Sequence, residues 1–320
     1  MKSNLKGRDF ISVMDYNKEE LETIFDVALY LKKKIAIGEP HEVLHGKTLG
    51  MLFASPSTRT RISFETGITQ LGGHGQYYTP EQLQLKNKES WRDTAEMISR
   101  FIDGFMIRLY NLKTQMGADS YDYGDARKVI RGIAEYASIP VINALDDMEH
   151  PCQIMADILT MIEKFGVDYK KKKVVMGWAY DERAKSAGVP QTMAAAGGIL
   201  GMNIVLAYPD VEGYDIDPAY FEFAKKAAAK SGGTVTVEHD IWKACKDADV
   251  IYCKSWARNP DAHEKNREKF KKDWCISHKH FEKATQNAVY MHCLPAKRNQ
   301  EVTDALIDDP VLSIVNDEFF

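Results

Sequence analysis

The fold is most clearly indicated by residues 47–73, K-T-L-G-M-L-F-A-S-P-S-T-R-T-R-I-S-F-E-T-G-I-T-Q-L-G-G. The apolar run within Lys47–Ala54 predicts a buried β-strand. A polar loop, S-P-S-T-R-T-R, follows at residues 55–61, and the amphipathic run after it ends in two glycines suited to a helix C-terminus. This stretch therefore predicts a strand, a short polar loop and the start of a helix in succession.

The rest of the chain repeats this alternation of strands and helices. Apolar residues between Lys18 and Lys33 have the spacing of one helical face, and His150–Gly166 has the pattern of a long helix. Further buried strands are predicted in D-G-F-M-I-R-L-Y, S-I-P-V-I-N-A-L, K-K-K-V-V-M-G-W-A-Y, M-N-I-V-L-A-Y-P, D-A-D-V-I-Y-C-K-S-W, N-A-V-Y-M-H-C-L-P and L-S-I-V-N-D. The predicted fold class is α/β, built on parallel sheets.

The length of 320 residues predicts two domains, since a domain usually has about 150 residues. The lysine run Lys170–Lys173 is the clearest change in composition, and the helix beginning at His150 is expected to cross between the halves. We therefore expect one domain over residues 1–150 and a second over residues 151–320, with a cleft between them. Small-molecule sites commonly lie in such clefts, at the carboxyl ends of the strands.

Composition excludes several classes of protein. With 42 Lys+Arg and 46 Asp+Glu, the net charge of −4 disfavours both a nucleic-acid binder that relies on bulk charge and a membrane-surface protein. The sequence contains neither an apolar signal segment nor a membrane-length apolar run, so we expect a cytoplasmic protein. The five cysteines include no C-x-x-C pair, which disfavours a disulfide framework and a zinc ribbon. No metal site is predicted.

The motif Ser57-Thr58-Arg59-Thr60 falls where a strand ends and a helix begins. Backbone N–H groups, hydroxyls and a guanidinium would converge there in front of the helix dipole, which is an arrangement suited to phosphate. The alternative is an ordinary N-cap with a solvated arginine. The motif alone leaves both interpretations open.

Two further motifs carry polar groups at element ends. H-P-C-Q places His150 and Gln153 three residues apart at a helix start, where an imidazole and a carboxamide could hold a carbonyl or amide group. H-C-L-P-A, from His292 to Ala296, ends a strand with a thiol and a proline. For each alone, a structural histidine and an inert buried Cys293 are the simpler interpretations.

These motifs occur together in one order, and in this the chain resembles the aspartate/ornithine transcarbamylase family over nearly its whole length. The resemblance rests on S-T-R-T-R at 57–61, F-E-x-x-x-x-Q-L-G-G at 64–73, E-S-x-x-D-T-A at 89–95, Arg108 at a strand end, H-P-C-Q at 150–153, H-C-L-P-A at 292–296 and E-V-T-D at 301–304. It implies transfer of the carbamoyl group of carbamoyl phosphate to an amine, with release of phosphate.

The resemblance also implies roles for individual residues. Carbamoyl phosphate would be bound by Ser57, Thr58, Arg59, Thr60, Arg108, His150, Gln153 and the backbone carbonyls of Cys293 and Leu294. Catalysis would fall to Arg59, Arg108, His150 and Cys293, through orientation and electrostatic stabilisation and without a covalent intermediate, cofactor or metal. The implied assembly is a homotrimer, with Gln84 and Lys86 reaching into a neighbour's site. The alternative for these two is a pair of solvated polar side chains on a loop.

The acceptor amine is less clearly indicated. Lys254 stands where ornithine transcarbamylases carry an aspartate that faces the ornithine amines, and a lysine favours a carboxylate or acyl oxygen over an ammonium. Lys254, Ser255 and Trp256 resemble the branch that acts on N-acylated ornithine or on an unassigned acceptor, in which a loop like Trp178–Thr192 is knotted. Lys254 could also point away from the site. Asp147, like its neighbour Asp146, could meet the acceptor or cap a helix.

Three alternatives to this interpretation remain. The chain could be an ornithine carbamoyltransferase proper, with free ornithine as its acceptor. It could also be a catalytically silent protein that binds carbamoyl phosphate or phosphate, because the N-R-L-H-type stretch and final helix of the family do not follow Asp317 in this sequence. A nicotinamide-dependent oxidoreductase is disfavoured, because the strand starting near Lys173 is not followed by G-x-G-x-x-G.

Overall fold

The computed structural model of the protein describes residues 4–84 and 89–317. Contacts between residues divide the chain into two compact units, Met1–Cys152 and Gln153–Phe320. We refer to them as the first unit and the second unit. Among the described residues, no helix combines the length and the apolar composition that a membrane crossing requires.

The first unit contains a four-stranded parallel sheet. Its strands are β1 Thr48–Phe53, β2 His74–Tyr78, β3 Gly104–Arg108 and β4 Val141–Leu145. Its helices are α1 Lys18–Ala36, α2 Thr58–Gln70, α3 Trp91–Ile98, α4 Leu112–Met116 and α5 Asp125–Tyr136. The strand order is β2-β1-β3-β4, which confirms the α/β class predicted from the sequence.

Both faces of this sheet are buried, as is usual for parallel strands. Successive residues of β1 alternate between two apolar clusters, because side chains point to opposite faces along a strand. Leu52 packs in the cluster that includes Ile98 of α3 and Ile130 of α5. Met51 packs in the cluster that includes Ile68 of α2. Helices α3 and α5 therefore cover one face of the sheet, and α2 covers the other.

The second unit contains a five-stranded parallel sheet. Its strands are β5 Lys173–Trp178, β6 Asn203–Ala207, β7 Thr234–Glu238, β8 Val250–Lys254 and β9 Val289–Met291. Helix α6 Pro151–Phe165 carries the chain from one unit into the other, followed by α7 Gly188–Leu200, α8 Pro218–Ser231, α9 Ile241–Ala244, α10 Pro260–Asn266 and α11 Asp304–Ile307. The strand order is β7-β6-β5-β8-β9.

Helix α7 is buried along its whole length. Its sequence, G-V-P-Q-T-M-A-A-A-G-G-I-L, is rich in small residues that let it pack closely against α8. A Cβ atom placed on Gly198 would lie 2.5 Å from the carbonyl oxygen of Ala224. Glycine is therefore required where these two helices cross.

Each sheet has a point at which the direction of strand addition reverses. In the first unit this point lies between β1 and β3, where Phe53 pairs with Arg108. In the second unit it lies between β5 and β8, where Trp178 pairs with Lys254. Ligands of open α/β sheets bind outside the carboxyl ends of the strands at such switch points. Loops 54–57, 109–111, 179–187 and 255–259 leave the sheets there.

The sequence-based predictions of strands fail in three places, although the edge strands β4 and β9 were predicted. Strands β2 and β7 were not predicted, because both are edge strands with partly exposed polar residues and no continuous apolar run. The predicted strand L-S-I-V-N-D is wrong, since only an isolated bridge joins Ser313 to Tyr290. Asp309 draws the amides of Val311 and Leu312 into a local turn, which competes with strand pairing. The long helix predicted from His150 is confirmed as α6.

Candidate active site

The S-T-R-T motif lies at the N-terminus of α2, directly after β1. Ser57 is the N-cap, and its hydroxyl donates to Thr60 Oγ1 at 3.0 Å and faces the Thr60 amide at 3.4 Å. Thr58 and Arg59 are exposed in the first turn of this 13-residue helix. The N-cap expected as an alternative is present, and it groups the hydroxyls and a helix N-terminus on one side of the switch point.

Arg108 ends β3 on the other side of that switch point. Its Nη1 lies 3.5 Å from Thr60 Oγ1, and its guanidinium lies 5.9 Å from the centre of the Tyr110 ring. Its Nε is buried and has no hydrogen-bond partner among the described residues. Burial lowers the pKa of Arg108, Tyr110 opposes that shift, and the nearby charge of Arg59 lowers the pKa further.

The charge of these two arginines is not neutralised by the described part of the protein. Neither Arg59 nor Arg108 forms a salt bridge with a described residue, whereas Arg61 pairs with Glu65 at 3.0 Å and stacks on the ring of Tyr77 at 3.9 Å. Two cations, two hydroxyls and a helix N-terminus thus lie at the carboxyl ends of β1 and β3. That combination fits a multiply charged anion such as a phosphate ester or anhydride. We call this end of the first sheet the first edge, and the carboxyl ends of β5 and β8 the second edge.

His150 is half-buried and lies between a turn and α6. The turn begins after Leu145, the residue of β4 that pairs with Arg108. The Asp147 carboxylate accepts hydrogen bonds from the amides of Gly124, Ala126 and Arg127 and from the Tyr121 hydroxyl. Of the two interpretations left open by the sequence, the helix cap is therefore present, but on α5 and not on the helix after His150.

Gln153 lies in the first turn of α6, in the second unit. Its Nε2 donates to Asp157 Oδ1 at 2.8 Å. This bond fixes the orientation of the carboxamide, because the amide nitrogen is held along the helix.

Cys293 and Leu294 follow β9. Burial raises the pKa of the Cys293 thiol, so the thiol is protonated near neutral pH. The Leu294 amide donates to His292 Nδ1 at 2.8 Å. Neither the Cys293 carbonyl nor the Leu294 carbonyl accepts a hydrogen bond from any residue that the structure describes. The backbone is thus the part of this segment that is available to a ligand, and the thiol is poorly suited to nucleophilic attack.

Lys254 is buried at the end of β8, and its Nζ donates to the carbonyl oxygen of Ser186 at 3.0 Å. Burial lowers the pKa of Lys254. The side chain of Trp256 is buried as well, and its indole N–H donates to the Tyr214 carbonyl at 2.8 Å. Ser255 is buried, and its amide donates to Glu301 Oε1 at 2.7 Å. Contact of these three residues with an acceptor stays a prediction.

Glu301 is the centre of an ionic cluster that the sequence did not predict. One of its oxygens lies 2.6 Å from Lys185 Nζ, and Lys185 also pairs with Asp181 at 2.9 Å. His292 Nε2 lies 3.6 Å from the other oxygen. Burial raises the pKa of Glu301, but His292 and Lys185 more than offset this and lower it to about 2. The motifs E-V-T-D and H-C-L-P-A contain Glu301 and His292, but no sequence pattern joins them to Asp181 and Lys185, which lie in the loop between β5 and α7.

The residues expected to act in a neighbouring subunit are only partly described. Gln84 is exposed. Lys86 lies outside the described residues. Their assignment to a neighbour's site stays a prediction, as does the knotted loop at Trp178–Thr192.

Comparison with known proteins identifies the family. The carbamoyl phosphate-binding domain of aspartate/ornithine carbamoyltransferases matches residues 8–163, and the Asp/Orn-binding domain matches residues 172–319. The chain belongs to the aspartate/ornithine carbamoyltransferase family. Membership confirms the family and the enzyme class, a carbamoyltransferase, that were predicted from the sequence.

Relatives of this carbamoyltransferase align over almost all of its length. The ornithine carbamoyltransferase of Thermococcus kodakarensis is 42% identical over 308 residues, which are 96% of this chain and 90% of the relative. The solved structure of the ornithine carbamoyltransferase of Pyrococcus furiosus has 39% identity and a TM-score of 0.83, with 99% and 94% of the two chains covered. An acetylornithine transcarbamylase structure with acetylcitrulline has 29% identity and a TM-score of 0.86, with 98% and 95% covered.

The two family matches divide the predicted site residues of this carbamoyltransferase. Those assigned to phosphate and the carbamoyl group, from Ser57 to Gln153, fall within the carbamoyl phosphate-binding match. Lys254, Cys293 and Leu294 fall within the Asp/Orn-binding match. The sequence-based preference for the N-acylornithine branch is not supported by the relatives of higher identity, which are named ornithine carbamoyltransferases.

Proposed function

We propose that the protein transfers the carbamoyl group of carbamoyl phosphate to the side-chain amine of ornithine, releasing inorganic phosphate. The observation that carries this proposal is the pair Arg59 and Arg108, which share the switch point of the first sheet with two hydroxyls and form no salt bridge with a described residue. A dianionic phosphate supplies the charge that this edge lacks.

The phosphate is held, in this proposal, by Ser57, Thr58, Arg59 and Thr60 at the start of α2. Arg108 reaches both the phosphate and the carbonyl oxygen, because its guanidinium lies beside Thr60 at the end of the neighbouring strand. A guanidinium presents several N–H donors in one plane and can bridge two oxygens. Arg108 therefore opposes the negative charge that develops on the carbonyl oxygen during attack.

The carbamoyl group is held by His150 and Gln153, and its NH2 donates to the carbonyls of Cys293 and Leu294. The neutral amine of the acceptor attacks the carbonyl carbon, forming a C–N bond and a tetrahedral intermediate. The C–O bond to phosphate then breaks, and the surplus proton of the amine leaves with the phosphate. Catalysis consists of orientation and charge stabilisation, and the protonated thiol of Cys293 takes no covalent part.

Ornithine is the first candidate acceptor, because relatives of 42% and 41% identity carry that name. Lys254 favours a second candidate, an ornithine whose α-amine is acylated. A buried ammonium at the end of β8 repels a free α-ammonium but tolerates a neutral amide. Acetylornithine transcarbamylases are among the similar structures, at 29–30% identity. Asp147 is not included in the acceptor site, because its carboxylate caps α5.

We also propose a homotrimer in which Gln84 and Lys86 enter the site of the neighbouring subunit. This part of the proposal is supported by the resemblance to the family alone. Sedimentation of the purified protein tests the assembly. A second test mixes Arg108→Leu subunits with Gln84→Ala, Lys86→Ala subunits, because shared sites predict that activity returns in the mixed trimer.

The acceptor is tested by measuring phosphate release from carbamoyl phosphate with ornithine, N-acetylornithine, N-succinylornithine, putrescine, lysine and aspartate. Mass detection of the ureido product separates transfer from simple hydrolysis of carbamoyl phosphate. Turnover of ornithine supports the first candidate. Turnover of only an acylated ornithine supports the second, and the absence of any ureido product would contradict the proposed function.

A further inference from the structure

The turn 146–149, which directly precedes His150, is closed by hydrogen bonds of its first residue, Asp146. Asp146 N–H donates to the carbonyl oxygen of Glu149 at 3.0 Å, and Asp146 Oδ1 accepts the amides of Met148 and Glu149 at 2.9 Å and 2.6 Å. The turn 146–149 is therefore internally bonded. Its position relative to the rest of the unit depends on what its two buried carboxylates, Asp146 and Glu149, contact outside it.

Arg127 contacts both of these carboxylates. Its Nε and Nη2 donate to the two oxygens of Asp146, and its Nη2 also lies 3.2 Å from Glu149 Oε1. The side chain of Arg127 is 11% exposed and those of Asp146 and Glu149 are 0% exposed. A planar guanidinium thus fixes the spacing of two carboxylates three residues apart, which a single ammonium cannot do in the same way.

Two further groups of the first unit donate to Glu149. Ser12 Oγ donates to Glu149 Oε1, and the Val13 amide donates to Glu149 Oε2 at 3.1 Å. Asp147, between the two, is bound to the N-terminus of α5, the helix that carries Arg127. All three acidic side chains of the turn are therefore committed to the interior of the first unit, and the next residue is His150.

Stability alone does not account well for this arrangement. Burial raises the pKa of Asp146, and the nearby charge of Arg127 opposes that shift. Replacing a buried ion cluster by apolar side chains is often neutral or stabilising, so such a cluster is weak evidence for a role in stability. The geometry defined here is that of the backbone immediately before His150.

We propose that Arg127 is a positioning residue that holds His150 in the orientation needed to bind the carbamoyl group. The proposal rests on the carbamoyl phosphate site proposed above. It predicts different effects on the two ends of the bound ligand, because the phosphate contacts at the start of α2 do not involve the turn 146–149. Loss of Arg127 therefore affects the carbamoyl end of the ligand and spares the phosphate end.

The test compares calorimetric affinities for carbamoyl phosphate and for inorganic phosphate. Arg127→Lys and Arg127→Met are expected to weaken carbamoyl phosphate binding by about tenfold or more, with phosphate affinity within about twofold of wild type. The matched control is Arg131→Met, one turn further along α5, where the arginine pairs with the exposed Asp15 at 2.8 Å. The control is expected to bind both ligands as wild type does.

A double-variant cycle gives a readout that a structural role would not move. If Arg127 acts through His150, adding Arg127→Lys to His150→Ala causes no further loss of carbamoyl phosphate affinity. Equal losses in both backgrounds, or a parallel loss of phosphate affinity, would overturn the proposal. Ser12→Ala serves as a milder variant of the same cluster if Arg127→Met does not fold. A wild-type protein that binds phosphate but not carbamoyl phosphate would instead contradict the proposed function.

Discussion

Both sheets are parallel and have a switch point, but they differ in the charge around it. In the first unit, Arg108 ends β3 and Arg59 lies in the first turn of α2, close enough for its charge to lower the pKa of Arg108, and neither has a carboxylate partner among the described residues. In the second unit, Lys185 near the ends of β5 and β8 is paired with both Asp181 and Glu301. At the first edge neither arginine is paired with a carboxylate among the described residues, whereas at the second edge Lys185 is paired with two and Lys254 donates to a backbone carbonyl.

The difference indicates what each edge is suited to bind. A buried arginine without a carboxylate partner is costly unless an anion completes it, so Arg108, together with the exposed Arg59, makes the first edge suited to phosphate. At the second edge Lys185 is already paired with carboxylates, so we expect recognition there to depend on the placement of Lys254 and of backbone groups. We therefore propose that charge at the first edge selects the donor and that geometry at the second edge selects the acceptor.

The largest effect is expected from breaking the neutralised cluster. Glu301→Gln leaves Lys185 with one carboxylate partner and removes the buried carboxylate that lies beside His292. We expect the free energy of unfolding to fall by about 3 kcal/mol, as measured by urea denaturation. Glu39→Gln, which removes the exposed partner of Lys34, is the control and is expected to change little. Equal stability of the two variants would show that the cluster does not hold the second edge.

The same cluster predicts a dependence of stability on pH. The pKa of Glu301 is about 2 in the folded protein, below its ordinary value of 4.5. A lowered folded-state pKa contributes stability above the unfolded value, and this contribution is lost as the pH falls from 4.5 towards 2. Wild-type stability is therefore expected to decline over this window by more than that of Glu301→Gln. Parallel curves would contradict the assignment.

At the first edge, Arg108→Leu tests the uncompensated charge. Arg108 would donate charge-assisted hydrogen bonds to two groups of the ligand, each worth about 1.5–3 kcal/mol. We expect carbamoyl phosphate affinity to fall by more than about 100-fold and the melting temperature to stay the same or rise, because a buried cation without a carboxylate partner is removed. A lower melting temperature with intact binding would assign Arg108 a structural role.

A smaller effect is expected from Lys254→Met. Lys254 holds the Ser186 carbonyl and thereby the loop 179–187 at the second edge. Loss of this bond is expected to change the KM for the acceptor by about tenfold, the equivalent of one hydrogen bond to a charged group. Carbamoyl phosphate affinity should stay within about twofold of wild type. If only the affinity for carbamoyl phosphate changed, and the KM for the acceptor did not, the assignment of Lys254 to the acceptor site would be contradicted.

The smallest effect is expected from Asp147→Ala, which removes the cap of α5. The N-cap residue itself is Gly124, and loss of a carboxylate that accepts amides at a helix N-terminus is expected to cost about 1 kcal/mol, as for an N-cap side chain, measurable by urea denaturation. The KM for the acceptor should not change, because the Asp147 carboxylate is engaged within the first unit. An increased KM with unchanged stability would return Asp147 to the acceptor site.

The fold and the first edge were largely predictable from the sequence, and the second edge was not. The phosphate motif is contiguous, so Ser57 to Thr60 appear together, and the apolar run before them indicates a strand. Glu301 and Lys185 are 116 residues apart in the chain, and no local pattern joins them. The edge strands β2 and β7 lack the apolar run that burial on both faces produces. The binding partners of Asp146 and Asp147 were hidden for the same reason, because they lie on a distant helix.

The central claim is that the first edge is a phosphate site because its arginines are uncompensated. It is tested most directly by titrating carbamoyl phosphate into wild type, Arg59→Ala and Arg61→Ala in a calorimeter. These two arginines belong to one motif, but only Arg61 is neutralised, by Glu65. The account predicts that wild type and Arg61→Ala bind carbamoyl phosphate and that Arg59→Ala does not. Binding by Arg59→Ala with wild-type affinity would contradict it.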